Sequence, residues 1–167
     1  IGTLTMCAVF DELFKMDLTK LDPDACAAAW PTLKQEQERA LKIFEGFPVP
    51  DLGYTEITKK YQDADEVRRQ MALVKEVWPE FKKKLQGQVY SFEKMQDLFK
   101  KAGAPYDPSM IGVTREMLRD MFPKVQLMRF RYNVLDLAKR GGFYDELVCK
   151  VFASGGAWDL EKSKAII

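Results

Sequence analysis

Residues 128–148, MRFRYNVLDLAKRGGFYDELV, contain the pattern from which the fold is predicted. Four apolar residues in this stretch recur at the spacing of one buried helix face: Phe130, Val134, Leu137 and Ala138. Gly141 and Gly142 follow, where this helix is expected to end. A second apolar face then extends to Phe152. We therefore predict two helices hinged at the glycine pair, an αα-hairpin over residues 128–156.

The polar residues of this hairpin have ordinary structural interpretations. Asp136 precedes Arg140 by four positions, and this acid-first order favours an ion pair on one helix. Gly141 stands where a left-handed residue is expected to end the first helix, and Gly142 lets the chain begin the next one.

The rest of the chain also has helical periodicity. Helix starts are predicted at Asp22-Pro23, Pro31, Ser91 and Thr114, and residues 47–54, FPVPDLGY, are predicted to form a loop. The clearest helix covers residues 63–86, with an expected kink at Pro79 and this buried seam: Val67, Met71, Val74, Trp78, Phe81 and Leu85. No segment alternates with period two for long enough to predict a strand. We predict an all-α, compact multi-helix fold with roughly seven to nine helices.

The composition excludes several classes of function. Lys and Arg number 26 and Asp and Glu 25, a net charge of +1, and the sequence shows no basic excess concentrated on one face as a binder of nucleic acid or a membrane would. No apolar run is long enough to cross a bilayer. The odd count of cysteines, Cys7, Cys26 and Cys149, and their wide spacing favour small buried thiols in a reducing cytoplasm over disulfides or a thiolate metal site.

The chain contains no histidine. A histidine general base, a histidine-containing triad and an imidazole metal site are therefore excluded within these residues. The first segment, IGTLTMCAVFDELFKM, has no charge before Asp11 and no capping residue before its apolar run. We expect Ile1 to lie inside a helix of a larger protein.

Two segments resemble a known family: residues 101–118, KAGAPYDPSMIGVTREML, and residues 128–147, MRFRYNVLDLAKRGGFYDEL. They are similar to the C-terminal part of bacterial sn-glycerol-1-phosphate dehydrogenases, in the dehydroquinate synthase and iron-containing alcohol dehydrogenase superfamily. The family pattern GAP…P…IG(I/V)…(R)xRYTVLDLA is matched except at Asn133, where threonine is usual. Residues 1–13 also resemble the segment that follows the family's H-G-x-x-V-G motif. The resemblance is specific over residues 103–146 and loose over residues 19–88.

The resemblance implies a cytoplasmic two-domain enzyme with its active site in the cleft between a nucleotide-binding α/β domain and a helical domain. In such enzymes an acidic residue and two histidines hold a divalent metal, and NAD(P) supplies hydride to dihydroxyacetone phosphate. The lack of histidine departs from that scheme, and the glycine-rich phosphate loop is absent too. We expect residues 1–156 to be the helical domain and residues 157–167 to be a C-terminal tail. We expect this chain to be inactive without the rest of the enzyme.

No catalytic, cofactor-binding or metal-binding residue is therefore assigned, and no cofactor is expected on this part of the enzyme. Arg129 and Arg131 are candidates for contacts with the substrate phosphate, because a guanidinium matches phosphate geometry. Both also fit an interpretation as surface or interhelix ion-pair residues, and Tyr132 could add a hydroxyl to such a site or belong to the core. The expected partner is a small phosphorylated substrate, and the interpretation allows a homodimer.

Two alternatives stay open. The chain could be a free-standing helical module that binds a protein through methionine-rich apolar surface. The methionines in question are Met6, Met16, Met71, Met95, Met117, Met121 and Met128. Alternatively, the parent enzyme belongs to the same superfamily and acts on glycerol or another alcohol, or catalyses a cyclisation like that of dehydroquinate synthesis.

Overall fold

The computed structural model describes residues 1–163, with the side chain of Ser163 left out. All regular structure in these residues is helical, which confirms the predicted all-α class. The α-helices are α1 (Gly2–Lys15), α2 (Pro23–Ala29), α3 (Leu33–Ile43), α4 (Leu52–Lys60), α5 (Ala64–Gln86), α6 (Phe92–Lys101), α7 (Arg115–Asp120), α8 (Phe122–Leu127), α9 (Val134–Arg140), α10 (Tyr144–Phe152) and α11 (Leu160–Ser163). Short 3-10 helices cover Leu18–Lys20 and Pro108–Ile111.

The chain forms two compact units. The first contains Ile1–Thr19, Val77–Arg119 and the described residues from Asp145 onward. The second contains Lys20–Glu76 and Asp120–Tyr144. Helix α5 contributes its first part to the second unit and its remainder to the first. The predicted boundary between a domain ending at residue 156 and a tail stays a prediction.

Helix α1 contributes much of the core of the first unit. Its buried apolar residues are Leu4, Cys7, Ala8, Val9 and Leu13. Trp158 is buried in the same unit, where its indole N–H donates to Thr5 Oγ1 at 3.1 Å and its ring meets Phe92 edge-on. Residues 157–163 of the predicted tail thus include a core side chain, whereas residues 164–167 lie outside the described part.

The second unit has its own apolar core between α3, α4 and α8. The buried cluster consists of Ala40, Phe44, Ile57 and Leu127. Gly53 allows α4 to approach this cluster, because a Cβ there would lie 2.6 Å from Phe44 Cδ2. The lack of a side chain at Gly53 therefore sets how closely α3 and α4 pack.

Several predicted helix ends are confirmed by side-chain caps. The Asp22 carboxylate accepts from the Asp24 and Ala25 amides, with Pro23 at the first helical position. Ser91 and Thr114 cap α6 and α7 in the same way. The start predicted at Pro31 is two residues early, because Thr32 and Gln35 form a capping box ahead of Leu33.

Other predictions for the helices are wrong. The last three of the eight residues in the predicted loop 47–54 belong to α4, and α8 was not predicted. The seam of α5 is fully buried at Val67, Met71 and Trp78, but Phe81 is exposed. These differences raise the number of helices in the described residues above the predicted seven to nine. Pro79 lies inside α5, and the kink there stays a prediction.

The predicted hairpin over residues 128–156 is wrong in two respects. Helix α9 begins at Val134, so Phe130 lies in an irregular segment and is exposed. The helix begins directly after Asn133, because the Asn133 side chain accepts hydrogen bonds from the Leu135 and Asp136 amides. The left-handed residue is Gly142, with φ +75°, whereas Gly141 has an ordinary φ of −80°.

Among the described residues, no helix is both long enough and apolar enough to cross a membrane.

Candidate functional site

A cleft of about 420 Å³ opens in the second unit between α4, α5, α9 and the irregular segment 128–133. Lys60, Gln70 and Arg140 form part of its polar side. Leu73 and Phe130 form part of its apolar side, and both are more than half exposed. The volume falls within the range of small-molecule sites in proteins.

A buried ion pair lies beside the cleft. Lys60 Nζ is 2.7 Å from Asp136 Oδ1 and also donates to the backbone carbonyl of Gln126. Only 6% of Lys60 and 3% of Asp136 is exposed. Burial lowers the pKa of Lys60, and the hydrogen bond to Asp136 opposes that decrease. The two charges therefore stabilise each other where water is excluded.

The ion pair belongs to a larger buried network. Gln126 Nε2 donates to Asp136 Oδ1 at 2.7 Å, and its side-chain oxygen accepts from Arg39 Nη2 at 3.0 Å. Arg39 in turn forms a two-bonded ion pair with Glu36, which is 2% exposed. Each charge in this network has an opposite partner.

Arg140 is different from the other buried charges of this unit. Its Nη2 donates to the backbone carbonyl of Lys60 at 3.0 Å, and its Nη1 donates to the side-chain oxygen of Gln70. Both acceptors are neutral. The predicted helix ion pair between Asp136 and Arg140 does not form, because Asp136 is turned toward Lys60 and Gln126.

Tyr132 covers the Arg140 guanidinium. The central carbon of Arg140 lies 4.8 Å from the Tyr132 ring centroid, a cation–π contact. Although 51% of Tyr132 is exposed, burial of its side chain against these neighbours raises its pKa to about 12, and the Arg140 charge opposes this rise. Tyr132 is therefore a neutral hydroxyl at physiological pH.

The structure separates the predicted site residues from this cleft. Phe130 and Tyr132 line it, whereas the alternating residues Arg129 and Arg131 are exposed and do not. Neither arginine forms an ion pair or hydrogen bond with another described residue. Their role in phosphate binding stays a prediction.

The cleft residues Lys60, Gln70 and Arg140 were not predicted from the sequence. One local signal points to Lys60, which follows Gly53 and Ile57 at the spacing of the buried face of α4. A second signal is Asp136, a charge inside the apolar run VLDLA. A lysine and an aspartate on apolar faces of different helices are candidates to pair, since buried charges require partners.

The residues present do not fit the metal site that the family resemblance implies. The chain has no histidine, and within residues 1–163 no three Cys, Asp or Glu side chains are grouped to hold a metal ion.

All three cysteines are free. Cys7 is buried, Cys26 is half-buried and Cys149 is exposed, so the expectation of a buried thiol is wrong for Cys149. Burial raises the pKa of the Cys7 and Cys26 thiols, which disfavours a reactive thiolate at either position.

No family model matches the chain, and no curated protein or solved structure matches it either.

Proposed function

We propose that the chain is the helical part of a cytoplasmic, metal-dependent, NAD(P)-linked glycerol-1-phosphate dehydrogenase, which converts dihydroxyacetone phosphate to sn-glycerol 1-phosphate. The observation that carries this proposal is the sequence resemblance over residues 103–146. The all-helical fold agrees with the expected helical domain of such an enzyme.

Local geometry explains why residues of this pattern suit their positions. Gly103 and Gly112 have φ of +67° and +71°, a backbone conformation that glycine adopts without strain. Asn133, which departs from the threonine of the family pattern, is the N-cap of α9. Asparagine and threonine both serve as N-caps, so the departure preserves the local role.

Within the parent enzyme, this chain would wall the active-site cleft and contact the substrate phosphate through Arg129 and Arg131. Both guanidinium groups are exposed and free to bind an anion. Because the residues of this chain do not fit the implied metal site, we assign it no catalytic residue and no chemical step. The metal and NAD(P) would be held by other residues of the parent protein.

The test uses the full-length protein encoded by the reading frame that contains Ile1. We expect it to contain a divalent metal and to oxidise NAD(P)H with dihydroxyacetone phosphate. Arg129→Ala and Arg131→Ala should each raise KM or lower kcat, whereas Lys34→Ala, which removes an exposed charge on α3, should leave both unchanged. A start codon immediately before Ile1 or an inactive full-length protein would overturn the proposal. Wild-type kinetics in both arginine variants would remove only the phosphate assignment.

The same assay separates the related substrates. Activity with glycerol or another alcohol, and none with dihydroxyacetone phosphate, would keep the superfamily and change the substrate. Sedimentation of the full-length enzyme tests the expected homodimer.

A protein-interaction module is the second candidate function. The observation that favours it is the exposure of Met110, Ile111 and Met117 in the first unit, each above 50%. Met71, in contrast, is fully buried and is unavailable to a partner. A short reading frame that begins at Ile1 would favour this module over the enzyme.

A further inference from the structure

The charge on Arg140 is the starting point of this inference. Arg140 is 6% exposed, yet within residues 1–163 it forms no ion pair. A guanidinium has five N–H donors, and Arg140 uses one to the Lys60 carbonyl and one to Gln70. Three donors therefore have no acceptor among the described residues. A buried cation with neutral partners alone is costly, so the site is suited to an added anion.

The neighbouring charges do not supply that anion. Asp136 is paired with Lys60, and Lys59, which also lines the cleft, is paired with Glu56 at 2.7 Å. Gln70, which accepts from Arg140, donates its amide to Glu66 Oε1 at 2.9 Å. Glu66 is itself paired with Arg69. The cleft therefore carries an excess of one positive charge, located on Arg140.

The rest of the cleft is suited to an apolar group. Leu73 and Phe130 are 57% and 52% exposed, and both line the cleft together with the Tyr132 ring. Large apolar side chains exposed around a buried charge favour a ligand with an apolar body and a charged end.

We propose that this cleft binds a small organic monocarboxylate, with its carboxylate on Arg140 and its apolar body between Leu73, Phe130 and Tyr132. A planar guanidinium pairs with a carboxylate through two parallel hydrogen bonds. One excess positive charge matches one carboxylate. A phosphate monoester carries about two negative charges at pH 7, and its second charge would have to compete with Glu56 for Lys59, the exposed lysine of the cleft. This site does not depend on the proposed dehydrogenase function, since Arg129 and Arg131 lie outside the cleft.

The experiment measures binding of three matched probes to the chain by isothermal titration calorimetry at pH 7. The probes share a phenylbutyl body and differ in their end group: 4-phenylbutyrate, 4-phenylbutanol and 4-phenylbutyl phosphate. We expect 4-phenylbutyrate to bind at least tenfold more tightly than the other two. Equal binding of the alcohol, or tighter binding of the phosphate, would overturn the proposal.

Two substitutions locate the site. Arg140→Gln should weaken 4-phenylbutyrate binding at least tenfold. If that variant does not fold, Leu73→Glu provides the same test, since Leu73 is exposed at the rim and a carboxylate there repels the ligand. Lys42→Gln removes one exposed positive charge of α3 and should bind 4-phenylbutyrate as the wild type does. Wild-type affinity in the Leu73→Glu protein, or an equal loss in the Lys42→Gln protein, would contradict the assignment.

Discussion

The ammonium group of Lys60 lies 2.7 Å from a carboxylate oxygen of Asp136, and both side chains are almost fully buried. The two residues are far apart in sequence and lie on α4 and α9. Such a pair adds little net stability compared with apolar residues, but removal of one partner leaves an uncompensated buried charge. The pair therefore makes the docking of α9 on α4 sensitive to either residue.

Asp136→Asn should lower the free energy of unfolding by about 3–5 kcal/mol at pH 7, because it preserves shape and removes the charge that compensates Lys60. Urea unfolding followed by circular dichroism measures this change. Lys59→Gln is the control, since it affects the half-exposed pair with Glu56 and should cost at most about 1 kcal/mol. Equal losses of unfolding free energy in the two variants would mean that breaking the buried Lys60–Asp136 pair costs no more than breaking an exposed pair.

The same variant has an expected pH dependence. The folded-state pKa of Lys60 is lowered below its unfolded value near 10.4. Between the two values the unfolded chain binds more protons, so the contribution of Lys60 to stability rises with pH. Asp136→Asn should lower the folded-state pKa of Lys60 further. The pH range over which stability rises should therefore begin at a lower pH. The deficit of the variant should therefore be smaller at pH 9.5 than at pH 7, and a constant deficit would contradict this interpretation.

Asn133→Ala should destabilise the protein by about 1 kcal/mol, because it removes the acceptor for the first amides of α9. Asn133→Ser is the matched variant, since serine is as good an N-cap as asparagine, and it should retain most of the stability. Urea unfolding of both proteins tests the cap. A loss in the serine variant as large as in the alanine variant would show that some other contact of Asn133 matters.

Trp158→Ala should cost about 3–5 kcal/mol, because it leaves a large cavity in the core of the first unit. Thr5→Val should cost about 1–3 kcal/mol, since it leaves the buried indole N–H without its acceptor. Thr3→Val makes the same chemical change at an exposed position of α1 and should be nearly neutral. Thermal unfolding compares the three proteins, and a loss in Thr3→Val equal to that in Thr5→Val would reject the hydrogen-bond argument.

Local chemistry explains which parts of the fold were predictable. Asp22, Ser91 and Thr114 cap helices with their own side chains, and each cap involves amides two or three residues away. Hydrogen bonds between residues so close in the chain can be predicted from the sequence. Phe130 also fits the helix period, but Asn133 is the N-cap, so α9 begins about one turn after Phe130. Periodicity alone does not decide between two possible starts of one helix.

The candidate site depends on contacts between residues that are far apart in the sequence. Arg140 meets the carbonyl of Lys60 and the side chain of Gln70, which are 80 and 70 residues away along the chain. Neither partner follows from the sequence around Arg140, where the nearest acid suggested a helix pair with Asp136. The sequence associates Tyr132 with an anion site at Arg129 and Arg131, whereas its ring lies over Arg140. Only the packing of α4, α5 and α9 distinguishes these arginines.

Gly142→Ala should cost about 1–2 kcal/mol, because φ there is +75° and an L-residue is strained in that region. Apart from the two neighbouring residues in the chain, no residue has an atom within 4 Å of the position that a Cβ would occupy, so the cost comes from the backbone conformation. Gly2→Ala is the matched control, since it also has open space but no positive φ, and it should not destabilise the protein. Gly142→Asn should cost less than Gly142→Ala, because asparagine tolerates this conformation. Equal stability of Gly142→Ala and the wild type by urea unfolding would contradict the left-handed assignment.

Tyr132 should titrate about two pH units later than an ordinary tyrosine, because burial raises its pKa to about 12. The difference in absorbance near 295 nm between the wild type and Tyr132→Phe isolates this one phenol and should have its midpoint near pH 12. In urea the same difference should titrate near pH 10, which supplies the control. Since the unfolded chain loses this proton first, the contribution of Tyr132 to stability is complete below pH 10 and is lost as pH rises toward 12. A folded-state midpoint near 10 would mean that the Tyr132 hydroxyl is solvated and is not buried against its neighbours.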